Sequence, residues 1–287
     1  MRLKPFNANN IRVGRGSGGG GGMPGGKLGC GGIVVVLIGA LIFGVDPAQM
    51  LGTMEGTQGG IPQQQQGGAG ESAAEICDDN QYAMEACNAL SNLDQTWAQR
   101  FQEAGAGDAF RQPKLWFYSD SVRSGCGSAT SAAGPFYCPA DEGIYIDTSF
   151  YDTMQRQLGA GGDFARYYVM AHEYAHHIQT VTGISDQIRS AQSQNSGARN
   201  RLQVMMELHA DCYAGVWAGK NRNLIEPGDF EEGMNAAAAI GDDTLTGGRV
   251  SSENFTHGTS QQRMAALRLG VETADDDRCD AEILQAG

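Results

Sequence analysis

The chain has 287 residues, a formal net charge of −13 at pH 7 and 41% hydrophobic residues. That length allows one substantial domain with appendages. The acidity argues against nucleic acid and anionic lipid as partners, and mildly favours basic or neutral polypeptides.

Residues 1–27 carry Arg2, Lys4, Arg12, Arg15 and Lys27 and no acid, with Gly dominating positions 14 to 26. So little apolar surface predicts a flexible basic cytoplasmic tail. Residues 28–45, Leu28 to Val45, then run without a charge. At about 1.5 Å per residue they reach about 27 Å, enough for a thin bilayer. Basic residues before the run and Asp46 after it predict a single-pass transmembrane anchor, with the N-terminus cytoplasmic and the remainder outside the cytoplasmic membrane. A cleaved signal peptide fits less well, because Pro47 follows the expected cut. A lipoprotein site at Cys30 fails because the apolar run follows the cysteine. A buried core helix is disfavoured by the Gly content and by the flexible segments on either side. Residues 46–72, with Gly59-Gly60-Ile61-Pro62 and four successive Gln, predict a flexible linker.

The remainder, 73–287, is expected to be one domain. Setting the tail aside leaves 15 Lys+Arg against 33 Asp+Glu, or −18 from residue 28 onward. Six cysteines, at 77, 87, 126, 138, 212 and 279, follow the apolar run, and an even number in an oxidising compartment suggests disulfides. Of about fifteen possible pairings, locality favours Cys126–Cys138 and Cys212–Cys279, which leaves Cys77–Cys87. No C-x-x-C pair exists, which disfavours a cysteine zinc site. Periodicity predicts helices over 91–103, 154–158, 163–182, 202–220, 229–240 and 260–269, and short strands over 114–119 and 144–147. Asp163 is the expected N-cap of the third helix and Gly183 its C-terminal stop.

The third predicted helix contains His172-Glu173-Tyr174-Ala175-His176. Residues four apart differ by about 40° around a helix, so His172 and His176 share a face and can ligate one Zn²⁺. Glu173 is turned about 100° away, where a general base for zinc-activated water belongs. Phe164, Tyr168, Ala171, Ala175 and Ile178 form an apolar stripe beside the histidines. A third histidine in the metzincin position is excluded, because Gln179 and Thr182 occupy those places. Glu207 and Asp211, four apart on the next apolar helix, supply the carboxylates. The economical assignment is Glu207 as third ligand and Asp211 as the acceptor that orients a ligand histidine; Asp211 as ligand is the runner-up. His177 points off the ligand face and reads as structural. His257, in the polar turn Thr256-His257-Gly258-Thr259-Ser260, is a candidate oxyanion stabiliser, with a loop-fixing role as the alternative.

Taken together, His172 to His176 and Glu207-Leu208-His209-Ala210-Asp211-Cys212 resemble the neutral zinc metallopeptidases, a bacterial membrane-anchored family. Gly134-Pro135-Phe136-Tyr137-Cys138-Pro139, within 126–147, is similar to the stretch preceding that family's zinc helix. Phe255 to Ser260 with Gln262-Arg263 is similar to its C-terminal signature. One departure is His209, where the family pattern would carry Gln; about 200° round the helix from Glu207, it reads as a partner of neighbouring polar groups. The resemblance spans roughly 110–280. It implies an α+β, mostly helical fold: a zincin-like domain of gluzincin type with a small edge sheet, preceded by one transmembrane helix. In such folds a strand above the zinc helix binds the substrate backbone, and the strands before His172 are the candidates. The implied function is a zinc-dependent peptidase held at the bilayer through 28–45. The competing reading is a zinc-stabilised binding or assembly factor without catalysis, which the intact Glu173 disfavours. A third is cleavage of cell-wall cross-links.

Overall fold

The structure, a computed structural model, describes residues 1–17 and 71–285. Its described part is mostly helical with two small sheets. The expected anchor at 28–45 and nearly all of the expected linker lie outside the described residues. Among the described residues, no helix is long and apolar enough to cross a membrane.

Three helices form the centre. Helix α2 (Gln81–Glu103) follows the short α1 (Ala73–Cys77), and the Cys77–Cys87 disulfide ties the two together. It starts ten residues earlier than periodicity suggests. Its first turns bury small residues, Ala83, Ala86 and Cys87, which give a weak apolar signal, and the Asn80 side chain caps them by accepting from the Ala83 N–H at 3.0 Å. Helix α4 (Asp163–Val181) carries the two histidines, and α6 (Arg199–Lys220) carries the two carboxylates. Helix α4 packs on α2, α6 and α7 (Asp229–Ala239). Gly162, not Asp163, is the N-cap of α4, while Gly183 follows its last turn at φ +80°, the left-handed stop expected. Helix α9 (Ser260–Thr273), which begins at a Thr259/Gln262 capping box, lies against α6 with backbones nearly touching. A Cβ on Gly215 would enter the Leu267 carbonyl, and one on Gly270 the Cys212 carbonyl, so only glycine permits the approach.

Helices α3 (Ser149–Gln157), α5 (Ile184–Gln194), α8 (Asp242–Leu245) and α10 (Asp276–Cys279) fill the periphery. Nothing in the sequence had marked α5, whose core side is thin. The three disulfides, Cys77–Cys87, Cys126–Cys138 and Cys212–Cys279, are the pairs that locality favours.

The main sheet has the order β1-β2-β6-β5. Strands β1 (Val13–Arg15), β2 (Lys114–Phe117) and β6 (Gly143–Ile146) are parallel, and the edge strand β5 (Phe136–Cys138) is antiparallel to β6. A separate hairpin, β3 (Ser121–Ser124) with β4 (Gly127–Thr130), is tied at its turn to β5 by Cys126–Cys138. Only β2 and β6 are legible as strands; β1 and β5 have three residues each, and β3 and β4 are made mostly of small or polar ones.

The first 17 residues overturn the expectation of a flexible tail. Strand β1 adds to the sheet, with Val13 opposite Leu115 and Arg15 opposite Phe117. Met1 and Ile11 are buried, and Leu3, Phe6 and Val13 pack on the same core. The Arg2 N–H donates to the Leu224 carbonyl at 2.8 Å, and Arg15 Nε reaches Glu71 Oε2 at 2.6 Å. The physical reason is local. Five apolar side chains separated by polar ones dock singly on a surface made by the rest of the domain, and averaging over 27 residues hides them.

Candidate metal centre

His172 and His176 stand one turn apart on α4, and Glu207 faces them from α6. Their donor atoms all lie within 4.8 Å of one another. Glu207 Oε2 is 3.2 Å from His172 Nε2 and 3.5 Å from His176 Nε2. Ligands at about 2.0–2.1 Å around a tetrahedral Zn²⁺ sit roughly 3.4 Å apart, so this spacing suits one ion. The two rings meet at 85°, which aims their nitrogens from different directions.

The hydrogen bonds behind the rings set which nitrogen is free. His172 Nδ1 lies 2.8 Å from Asp211 Oδ1, and His176 Nδ1 lies 2.8 Å from Gln179 Oε1. A carboxylate and an amide oxygen only accept, so each neutral ring carries its proton on Nδ1. Both Nε2 lone pairs then face Glu207, as metal ligation needs. The donor set therefore fits a zinc ion.

Asp211 is fully buried, and burial alone would raise its carboxyl. Arg263 and His172 overcome this and hold it at about 2. Arg263, also fully buried, donates from Nε to Asp211 Oδ2 and from Nη2 to Oδ1, each at 2.8 Å. The Tyr168 hydroxyl donates to Asp211 Oδ1 at 2.6 Å, and Arg263 Nη1 donates to the Ile240 carbonyl at 3.1 Å. Asp211 thus lies behind His172, and the three donor atoms that converge come from His172, His176 and Glu207.

Glu173 is buried on the same helix. Its carboxyl is raised, chiefly by that burial, against the pull of His172 and His176. In the metal-free chain Glu207 is shifted the other way: with a proton also on Nε2, the imidazoles outweigh its burial and hold it well below the usual carboxylate range. His177 lies outside the triad, with Nδ1 3.1 Å from the Tyr137 hydroxyl and Nε2 2.7 Å from the Arg111 carbonyl.

His257 is buried, with Nδ1 3.0 Å from Asp242 Oδ1. Asp242 Oδ2 accepts the backbone N–H groups of Thr256, His257 and Gly258 at 2.7, 2.6 and 3.1 Å, which fixes the turn carrying the ring. His257 Nε2 is buried and has no hydrogen-bond partner among the described residues. It is not one of the converging donors.

Three supporting residues escaped the sequence reading. Gln179 and Arg263 were in view, the first at i+3 from His176 and the second within the C-terminal signature, and either could have been suspected. Asp242 carried no sequence signal.

Comparisons with known proteins place the chain in a family. The chain is 42% identical over 283 residues to the uncharacterized protein YpfJ of Escherichia coli strain K12, covering 95% of both. It is 40% identical over 187 residues to the uncharacterized protein Rv2575 of Mycobacterium tuberculosis strain H37Rv, covering 60% of this chain and 62% of that protein. No solved structure matches it. The family profile described as "Putative neutral zinc metallopeptidase" matches residues 4–282, so its span takes in most of the docked N-terminal segment. By that match the chain belongs to the neutral zinc metallopeptidase family, whose name makes zinc its cofactor.

Proposed function

We propose that the protein is a zinc-dependent peptidase that hydrolyses peptide bonds outside the cytoplasmic membrane. The observation that carries this reading is the convergence of His172, His176 and Glu207, with both imidazole lone pairs turned inward and Glu173 buried alongside. His172, His176 and Glu207 would hold the metal. Bound there, zinc lowers the pKa of a water to about 7 and polarises a carbonyl.

This chain's own groups do the rest. Glu173, its carboxyl raised by burial, takes a proton from the attacking water and returns it to the leaving amine. Asp211 and Gln179 keep the imidazoles in the ligating tautomer. His257, held by Asp242 at Nδ1, has Nε2 left over and turns that ring position to the developing oxyanion. Strand β5 ends the sheet beside α4, and a polypeptide substrate adds to its open edge as a further strand. Three disulfides support an oxidising compartment.

The test is zinc content of the full chain and its cleavage of unfolded casein, set beside Glu173→Gln. One zinc in each protein with cleavage only in the wild type is the expected result. Continued zinc-dependent cleavage by Glu173→Gln would refute the mechanism. Zinc bound without cleavage in either would favour the assembly-factor reading.

A further inference from the structure

The two ligand histidines are backed differently. Behind His172 stands a carboxylate with its own arginine; behind His176 stands the neutral amide of Gln179. A neutral amide can turn over, and then it would offer N–H to a nitrogen that must itself donate. What prevents this lies beyond Gln179.

Gln179 Nε2 lies 2.8 Å from the Met206 carbonyl. A carbonyl only accepts, so the NH2 end must point there and Oε1 must face His176. The second N–H of the same amide points to His209 Nδ1 at 3.1 Å. That nitrogen therefore accepts, and His209 carries its proton on Nε2. His209 Nε2 lies 2.8 Å from Asp280 Oδ1, which also accepts the Tyr213 hydroxyl at 2.8 Å. Every donor and acceptor in the row agrees with its neighbours, and the side chains of Gln179 and His209 are fully buried. Asp280 comes from the last turn of the described chain, and the neighbouring Cys279 is bonded to Cys212 of α6, three residues past His209.

We propose that the C-terminal segment reaches the metal through this row: Asp280, His209 and Gln179 are positioning residues that hold His176 in its ligating orientation. His209 is thus the second acceptor that, with the Met206 carbonyl, keeps the Gln179 amide from turning. A glutamine there can do the same, accepting from Gln179 with its oxygen and donating to Asp280 with its nitrogen. A leucine can do neither. The proposal rests on His172, His176 and Glu207 binding zinc.

The experiment is zinc affinity of the full chain by chelator competition, with thermal melting of the metal-free proteins to show that each is folded. Loss of an outer hydrogen-bonding partner weakens metal binding by about 10–100-fold. His209→Leu should weaken zinc by an amount in that range, and His209→Gln should leave it close to wild type. Asp280→Ala, at a half-exposed position, should weaken zinc in the same direction, and it serves if His209→Leu does not fold. Unchanged affinity in a folded His209→Leu or Asp280→Ala, or equal losses in His209→Leu and His209→Gln, overturns the proposal alone. A wild-type chain that binds no zinc overturns the metal centre itself.

Discussion

Asp211 and Asp94 are both buried aspartates, and each accepts a tyrosine hydroxyl from the zinc helix: Tyr168 at 2.6 Å in one case, Tyr174 at 2.7 Å in the other. Their carboxyls move in opposite directions. Burial dominates at Asp94, where Tyr174, Arg12 and Gln112 only partly offset it, and the carboxyl rises to about 7. At Asp211 burial is overcome by Arg263 and His172, and the carboxyl falls to about 2. The difference is a guanidinium locked on both oxygens. Burial therefore does not decide whether a carboxylate in this core is charged; the nearest fixed cation does. Only the depressed one, Asp211, stands behind His172.

Removing that cation should have the largest effect. Arg263→Met leaves an uncompensated carboxylate in the core, and breaking a buried pair in this way costs about 3–5 kcal/mol. Urea melts near neutral pH would show the loss. If Arg263→Met proves as stable as wild type, the contrast between the two sites does not depend on the guanidinium.

The next effect is in pH. Asp94 binds its proton more tightly folded than unfolded, so its contribution is present below about 4 and lost as pH rises through about 7. The span corresponds to at most about 4 kcal/mol. Asp211 is depressed, so its contribution is present above about 4 and lost as pH falls through about 2. Urea melts of the metal-free chain should therefore weaken between about pH 4 and 7, and Asp94→Asn should reduce that slope. A slope unchanged by the substitution would show that Asp94 is not its source.

The smallest effect separates the two tyrosines. Tyr168→Phe should cost about 1 kcal/mol at any pH from 5 to 9, since Arg263 still satisfies Asp211. Tyr174→Phe should cost about the same below pH 7 and about 1.5–3 kcal/mol above it, where the hydroxyl serves a charged acceptor. Equal and pH-independent losses would mean that Asp94 stays neutral throughout.

The sequence exposed the donors of the centre but not what holds them. His172, His176 and Glu207 were legible because helical spacing fixes which side chains share a face. The pairing of Cys126 with Cys138 was legible because a short loop limits the choices. Arg263 and Asp280 lie 52 and 71 residues from Asp211 and His209, the α6 residues they hold, and Asp242 meets His257 across 15 residues only because two turns pack together; no local pattern encodes such contacts. Strands β1 and β5 are three residues each, below the length at which alternation can be read. The zinc helix, in contrast, ends within one residue of where Gly183 says it should.

The pairing of β1 with β2, and the contact of Arg15 with Glu71, bear on how the chain meets a lipid bilayer. A polypeptide that leaves a folded domain and rejoins it beside its point of departure must cross any membrane an even number of times. With β1 in its place, the amino terminus shares the compartment of His172 and Glu173. The arrangement expected from charge alone, with a cytoplasmic amino terminus and an external domain joined by one crossing, requires β1 to be absent from the sheet. A sidedness probe on residues 1–17 therefore also reads the state of that strand.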